Sequence, residues 1–129
     1  MTLKDIGKSY EWGFTHPPIW DKNPWYVNYV GHPISGSESF LLARNRDHSF
    51  TESFLYSTGA SVAWEYAIEP FVGAKPSIQD LMFTSTMGSV LGEIRFELKK
   101  KLMRDEDSTW NKIGIVILDP IDAVYRAFE

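Results

Sequence analysis

Four polar residues recur at four-residue steps along one stretch of this chain: Ser57, Ser61, Glu65 and Glu69. In a helix that spacing lays them on a single stripe that drifts slowly round the axis. The surrounding residues, 53–69, are mostly aromatic, aliphatic or small, and none is basic. Carboxylates one turn apart repel each other and burial raises their pKa values, so some neighbour must offset the cost. One chemistry is a paired-carboxylate site for acid–base work, with His32, Glu65 and Glu69 as the catalytic set. Arg44, Asp80 and Glu93 then stand as binding residues. The other is a buried network in which Arg44, His32 or Arg95 neutralises the acids and fixes how helices pack. Structural ion pairs perturb pKa values as readily as active sites do, and the network is the favoured reading.

Other chemistries find less support. Carboxylate-bridged metal bundles use a Glu-x-x-His pair, which is missing here, and no His-x-x-x-His pair occurs. A set of His32, Glu65, Glu69 and Glu93 is geometrically conceivable, but neither a metal nor a cofactor is assigned. The chain has no cysteine, which removes disulfides, thiolate catalysis and Cys-ligated zinc. There is no Gly-x-Ser-x-Gly elbow, and the glycine-flanked run 88–93 lacks the lysine of a phosphate loop. Gly88 and Gly92, with Ser85, instead form a small-residue face. Close approach of the middle helix near Gly59 is expected there.

The elements that must position these residues are marked by helix starts. Ser35 with Glu38, Ser49 with Glu52, and Ser77 with Asp80 each have the spacing of an N-terminal cap and its partner. They predict a short helix from Ser35 to about Asn45, a central helix closed by Pro70, and a third running to about Met103. Lys99, Lys100, Lys101 and Arg104 crowd the end of the third helix and complement its dipole. The run 113–118 is β-branched and leans toward a strand. Asp119-Pro120 predicts the cap and first residue of a last helix. Residues 1–34, with Pro17, Pro18, Pro24, Pro33 and three tryptophans, predict an irregular arm anchored by its rings. The expected architecture is all-α: one domain over residues 1–129, a bundle of about four helices carrying that arm.

At 129 residues the chain can bury a core without staples. Net charge is −4, which argues against nucleic acid as a partner, because phosphate neutralisation needs a basic face. Five Trp, six Tyr and eight Phe are a heavy ring load, so either the core is aromatic or part of the surface meets something apolar. No stretch reaches the ~20 mostly apolar residues of a membrane span, although shallow contact with a membrane surface stays open. The start, MTLKDIGKSYEW, lacks the basic and apolar segments of a secretory leader. A cytoplasmic setting, or a leader already trimmed, would fit.

One resemblance joins these residues. Asn28 to Pro33 as NYVGHP, then Gly36, Ala43-Arg44, Trp64-Glu65, Glu69, Pro76-Ser77, Asp80-Leu81, Thr84, Gly88, Gly92-Glu93 and Asp119-Pro120 resemble a bacterial domain family of unknown function. The similarity covers about residues 25–126. Where such members carry Thr-Pro, this chain has Thr84-Ser85. The resemblance implies a periplasmic or outer-membrane-associated setting and a longer protein with a β-rich remainder, and it supplies no activity. The leading expectation is a non-enzymatic helical module that packs against an envelope protein or the missing part of its own chain. The alternative is a hydrolase or lipid-modifying enzyme built on Glu65, Glu69 and His32.

Overall fold

The computed structural model describes residues 1–105 and 107–129. They form six α-helices: α1 (Leu3–Thr15), α2 (His32–Arg44), α3 (Phe50–Ala63), α4 (Ile78–Leu102), α5 (Thr109–Leu118) and α6 (Pro120–Ala127). Among the described residues there is no strand, only an isolated bridge between Ile19 and Ser77. The all-α expectation holds, but the helix number is six rather than about four.

Three helices make the centre. Gly36 packs on Thr84 and Gly88, and Phe40 on Gly92, so α2 and α4 run in the same direction. On α3 the order is reversed: Phe50 meets Phe40 with ring centroids 5.3 Å apart, and Ser57 Oγ donates to the Gly36 carbonyl at 3.0 Å. Helix α3 therefore lies antiparallel to both. The small face of α4 receives α2, not the expected segment near Gly59, where a Cβ would meet nothing within 4 Å. The reason is mutual: Gly36 on α2 is itself side-chain-free, so two backbones can touch at that level.

Both interruptions of the helical ladder precede a proline. A π segment, Val27–Gly31, comes just before Pro33, and a second, Trp64–Ile68, just before Pro70. The wider turn lets the chain pass a residue that has no N–H to donate and whose ring would clash with the carbonyl four residues back. The helical run that contains α2 therefore opens right after Pro24, at Trp25. Ser35 sits inside α2, and the capping box expected at Ser35 and Glu38 is not used. At Ser49 the device is real: its hydroxyl accepts from the Glu52 N–H at 3.2 Å, and Glu52 Oε2 accepts from the Ser49 N–H at 2.8 Å.

The N-terminal arm is only partly irregular. Thr2 and Asp5 form a capping box that starts α1, and Tyr10 Oη donates to the Ala67 carbonyl at 2.6 Å. The prolines govern only the segment after residue 15. That extended piece is held by backbone bonds from Ile19 to Pro76 and from Ile78 to Ile19, each 2.9 Å. Two of the three tryptophans do not anchor the arm, Trp20 being 67% and Trp25 68% exposed, whereas Trp12 on α1 is half-buried with Lys75 4.5 Å over its ring. The run 113–118 is helix, within α5. β-branched content is a weak preference, and no neighbouring strand exists among the described residues to reward extended backbone.

At the far end, Lys99 does not serve the dipole in solvent. It is buried, and its Nζ donates to Asp119 Oδ2 at 2.7 Å, Asn45 Oδ1 at 2.6 Å and Asp122 Oδ2 at 3.1 Å. Asp119 also caps α6, as its sequence predicts, accepting from the Asp122 N–H at 3.1 Å.

Apart from Phe40, Leu41 and Ala43 on α2, the interior is mostly polar and small. Ser37, Ser53, Ser57, Ser61, Ser85 and Ser89 are buried, whereas Leu55, Val62, Ile68, Met82, Val90 and Leu98 are exposed. Short side chains let helices approach closely, and the large apolar ones are left on the outer faces.

Candidate functional site

The stripe points inward over most of its length: Ser57, Ser61 and Glu65 are buried, as is Ser53 one turn earlier, while Glu69 at its end is half-buried. Glu65 lies in the π segment beyond α3, and the adjoining 3₁₀ turn (Glu69–Val72) begins with Glu69. The chain then reverses and enters α4 through Ser77. The Ser77 N–H donates to Glu65 Oε2 at 2.7 Å, while its hydroxyl accepts from the Asp80 N–H at 3.3 Å. One carboxylate from the end of the central rod and one from the first turn of α4 are thereby fixed together. Ligand oxygens of Glu65, Glu69 and Asp80 all lie within 4.8 Å of one another.

His32 closes the group. Its Nε2 is 3.3 Å from Asp80 Oδ1, and its Nδ1 is 3.3 Å from Thr84 Oγ1. Glu69 Oε1 accepts from Trp64 Nε1 at 3.3 Å. A fourth acid comes from the extended arm. Asp21 accepts from Asn28 Nδ2 at 2.5 Å and contacts the Asp80 carboxyl.

The electrostatics reflect acids crowded together with no Lys or Arg paired to them among the described residues. Burial pushes Glu65 up to about 8, opposed by the Ser77 N–H and reinforced by the charges of Glu69, Asp80 and Asp21. Asp80 is pushed up to about 7 by burial and then by its contact with Asp21. Glu69 is raised, chiefly by burial, and burial lowers His32 below the usual imidazole range. Asp21 goes the other way. Burial opposes its ionisation, but hydrogen bonds to Asn28, Asp80, the Asn23 N–H and Ser77 together hold it low. A cavity of about 310 Å³ adjoins the group, lined by His32, Ser61, Trp64, Glu65 and Thr84.

The expected neutralisation by Arg44 does not occur. Arg44 forms a two-pronged bond with Glu93, Nε to Oε2 at 2.9 Å and Nη2 to Oε1 at 3.1 Å. Arg95 pairs with Glu38 at 2.5 Å, donates to Ser37 and reaches the Leu118 carbonyl. Helix direction explains both. Because α2 and α4 run in parallel, residues late in α2 meet the rear half of α4, while the end of antiparallel α3 is carried to the opposite end. Arg44 and Glu93 are thus separated from His32, Glu65, Glu69 and Asp80, which do come together. Sequence reasoning misses Asp21, since nothing in a proline-rich arm carries a period that would place it. It misses Lys99 with Asp119 too, hidden in a lysine run that reads as a solvated helix end.

Against known proteins, the model of one family, a domain of unknown function (DUF3943), matches residues 17–121. The chain belongs to this family. No curated protein and no solved structure matches it. Membership in DUF3943 brings the whole carboxylate group, from Asp21 to Asp80, inside the family's span and assigns none of it a role.

Among the described residues no Lys or Arg forms an ion pair with Glu65, which makes one substitution informative. Glu65→Gln keeps an oxygen for the Ser77 N–H and removes an acid from among acids. The expected outcome is a folded chain whose stability in urea changes by less than about 1 kcal/mol or rises. A loss of about 3–5 kcal/mol, the scale for breaking a buried ion pair, would mean that a cation does face Glu65.

Proposed function

We propose that this DUF3943 chain is a non-enzymatic helical packing module of the cell envelope, its outer faces covered by an apolar partner. The remainder of a longer chain of its own is that partner. The envelope setting rests on the sequence resemblance. The observation that supports the module is the inverted distribution of side chains. Serines and glycines fill the contact between α2, α3 and α4, while Leu55, Tyr56, Val62 and Trp64 on α3 and just beyond it, and Met82, Met87, Val90 and Ile94 on α4, are exposed. Helices that are apolar around most of their perimeter belong inside a larger protein or in lipid. The accessible surface, 8372 Å², also exceeds the roughly 7,000 Å² expected of a free-standing protein of this mass. No helix among the described residues is long and apolar enough to cross a membrane.

Produced alone in detergent-free buffer, the chain is expected to self-associate and to bind a dye that reports apolar surface. A mild detergent should return it to a monomer. Light scattering coupled to size-exclusion chromatography reads both states. A monodisperse monomer that leaves the dye dark would sink the proposal, and flotation with lipid vesicles would transfer the outer faces to a membrane surface.

The hydrolase or lipid-modifying reading draws on a different observation, the cavity into which His32 and Glu65 both face. A turnover abolished by Glu65→Gln in a normally folded chain would favour it over the packing module.

A further inference from the structure

The packing reading makes no use of the acids at the end of the central rod, and they point to a separate property. We propose that Glu65, Glu69 and Asp80 bind a divalent metal ion, with His32 supplying a nitrogen and Asp21 a supporting carboxylate.

Three observations carry this. The first is spacing. Two oxygens on one ion can be no farther apart than twice the bond length, roughly 4–5 Å for hard divalent ions. The three carboxylates already meet that limit, within 4.8 Å of one another, without any backbone movement. The second is an unmet demand. Asp80 is 1% exposed, and neither of its carboxyl oxygens has a well-formed hydrogen bond among the described residues; what faces it is another acid, Asp21, and His32 Nε2 at 3.3 Å. Buried polar atoms are nearly always satisfied, so an orphaned carboxylate aimed at two others asks for a cation. The third is the commitment of the protein's cations elsewhere: Lys75, two residues before Ser77, lies over the Trp12 ring at 4.5 Å. Among the described residues, the ion pairs of Arg44, Arg95 and Lys99 go to Glu93, Glu38, Asp119 and Asp122.

The scaffold is preorganised for the purpose. The ligands come from the π segment, the 3₁₀ turn and the first turn of α4, tied to each other by the Ser77 N–H on Glu65. His32 reaches in from α2, where its second nitrogen faces Thr84 Oγ1, an arrangement that orients a metal-binding imidazole. Carboxylates with a single imidazole suit an ion of the manganese class, which accepts mostly oxygen and some nitrogen.

The test uses Mn²⁺ alone, added to the chelator-treated chain in the detergent that keeps it monomeric. Loss of the free-ion electron paramagnetic resonance signal counts the bound metal. The expected result is one saturable ion per chain and a higher melting temperature in its presence. Asp80→Asn and Glu65→Gln should each weaken binding tenfold or more while folding normally without metal. His32→Gln should weaken Mn²⁺ more than Mg²⁺, because it removes the nitrogen donor. No saturable binding up to millimolar Mn²⁺ would overturn the proposal. So would undiminished binding by both carboxamide variants, and neither outcome bears on whether the outer faces dock to a partner.

Discussion

Replacing Lys99 with methionine will destabilise the fold by about 3–5 kcal/mol, the scale expected when one member of a buried ion pair is removed. The ammonium is almost fully enclosed and donates to Asp119, Asn45 and Asp122. Methionine matches its length and apolar stem, so lost packing contributes little. What remains is a buried Asp119 carboxylate without its cation, and that desolvation cost dominates. Urea denaturation of Lys99→Met, Asp119→Asn and the double variant measures it. The double should recover much of the loss, because no charge is then stranded. If Lys99→Met alone lost under about 1 kcal/mol, within the range of an ordinary surface substitution, the enclosure of this pair would be wrong.

The same pair sets an acid limit. Asp119 is buried, yet hydrogen bonds from Lys99 and Asn45, the Asp122 N–H and the Lys99 charge hold it below the ordinary carboxylate value of 3.8. A carboxyl with a depressed folded-state pKa contributes stability that is fully present above the unfolded value. That contribution drains as pH falls through the folded value. The native chain should therefore lose stability on acidification below about pH 4, and Asp119→Asn should remove that part of the slope.

The second large effect concerns contact rather than charge. Gly36→Ala is expected to cost about 3 kcal/mol or more, at the upper end of overpacking. A Cβ there would fall onto the carbonyl of Thr84, and a Cβ at Gly88 would come within 2.7 Å of the Gly36 Cα. The obstacles are backbone atoms, which no rotamer change can clear, so α2 and α4 must move apart. Separation would also disturb Ser57, whose hydroxyl is bonded to the Gly36 carbonyl. Gly59→Ala is the matched control. It lies in α3 with nothing within 4 Å of its Cβ, and should gain roughly 0.5–1 kcal/mol from helix propensity. Equal losses from the two substitutions would contradict the close α2–α4 contact.

Local chemistry is legible residue by residue. Ser49 with Glu52, Ser77 with Asp80, and Asp119 before Pro120 act as caps because a cap needs only groups three residues apart. The inward stripe of Ser57, Ser61 and Glu65 is legible for the same reason, since helical period depends on nothing outside the helix. Where neighbours in space decide, local pattern misleads. β-branched residues at 113–118 suggest strand, but the described residues include no strand to pair with. Prolines between 17 and 33 suggest irregularity throughout the arm, yet residues 3–15 form α1 under the control of Thr2 and Asp5.

The carboxylates show the division most sharply. Spacing alone determined that Glu65 faces inward beside small polar residues, and that burying it needs compensation. It did not determine the partner. Helix direction did: with α2 parallel to α4 and α3 reversed, Arg44 is carried to Glu93 and the acids converge on His32 and Asp21. Direction and pairing depend on contacts between residues far apart in the chain, such as Gly36 against Thr84, which no local period encodes. Helical period alone settled that Ser57, Ser61 and Glu65 leave water. Which groups meet was set by the directions in which the packed helices run.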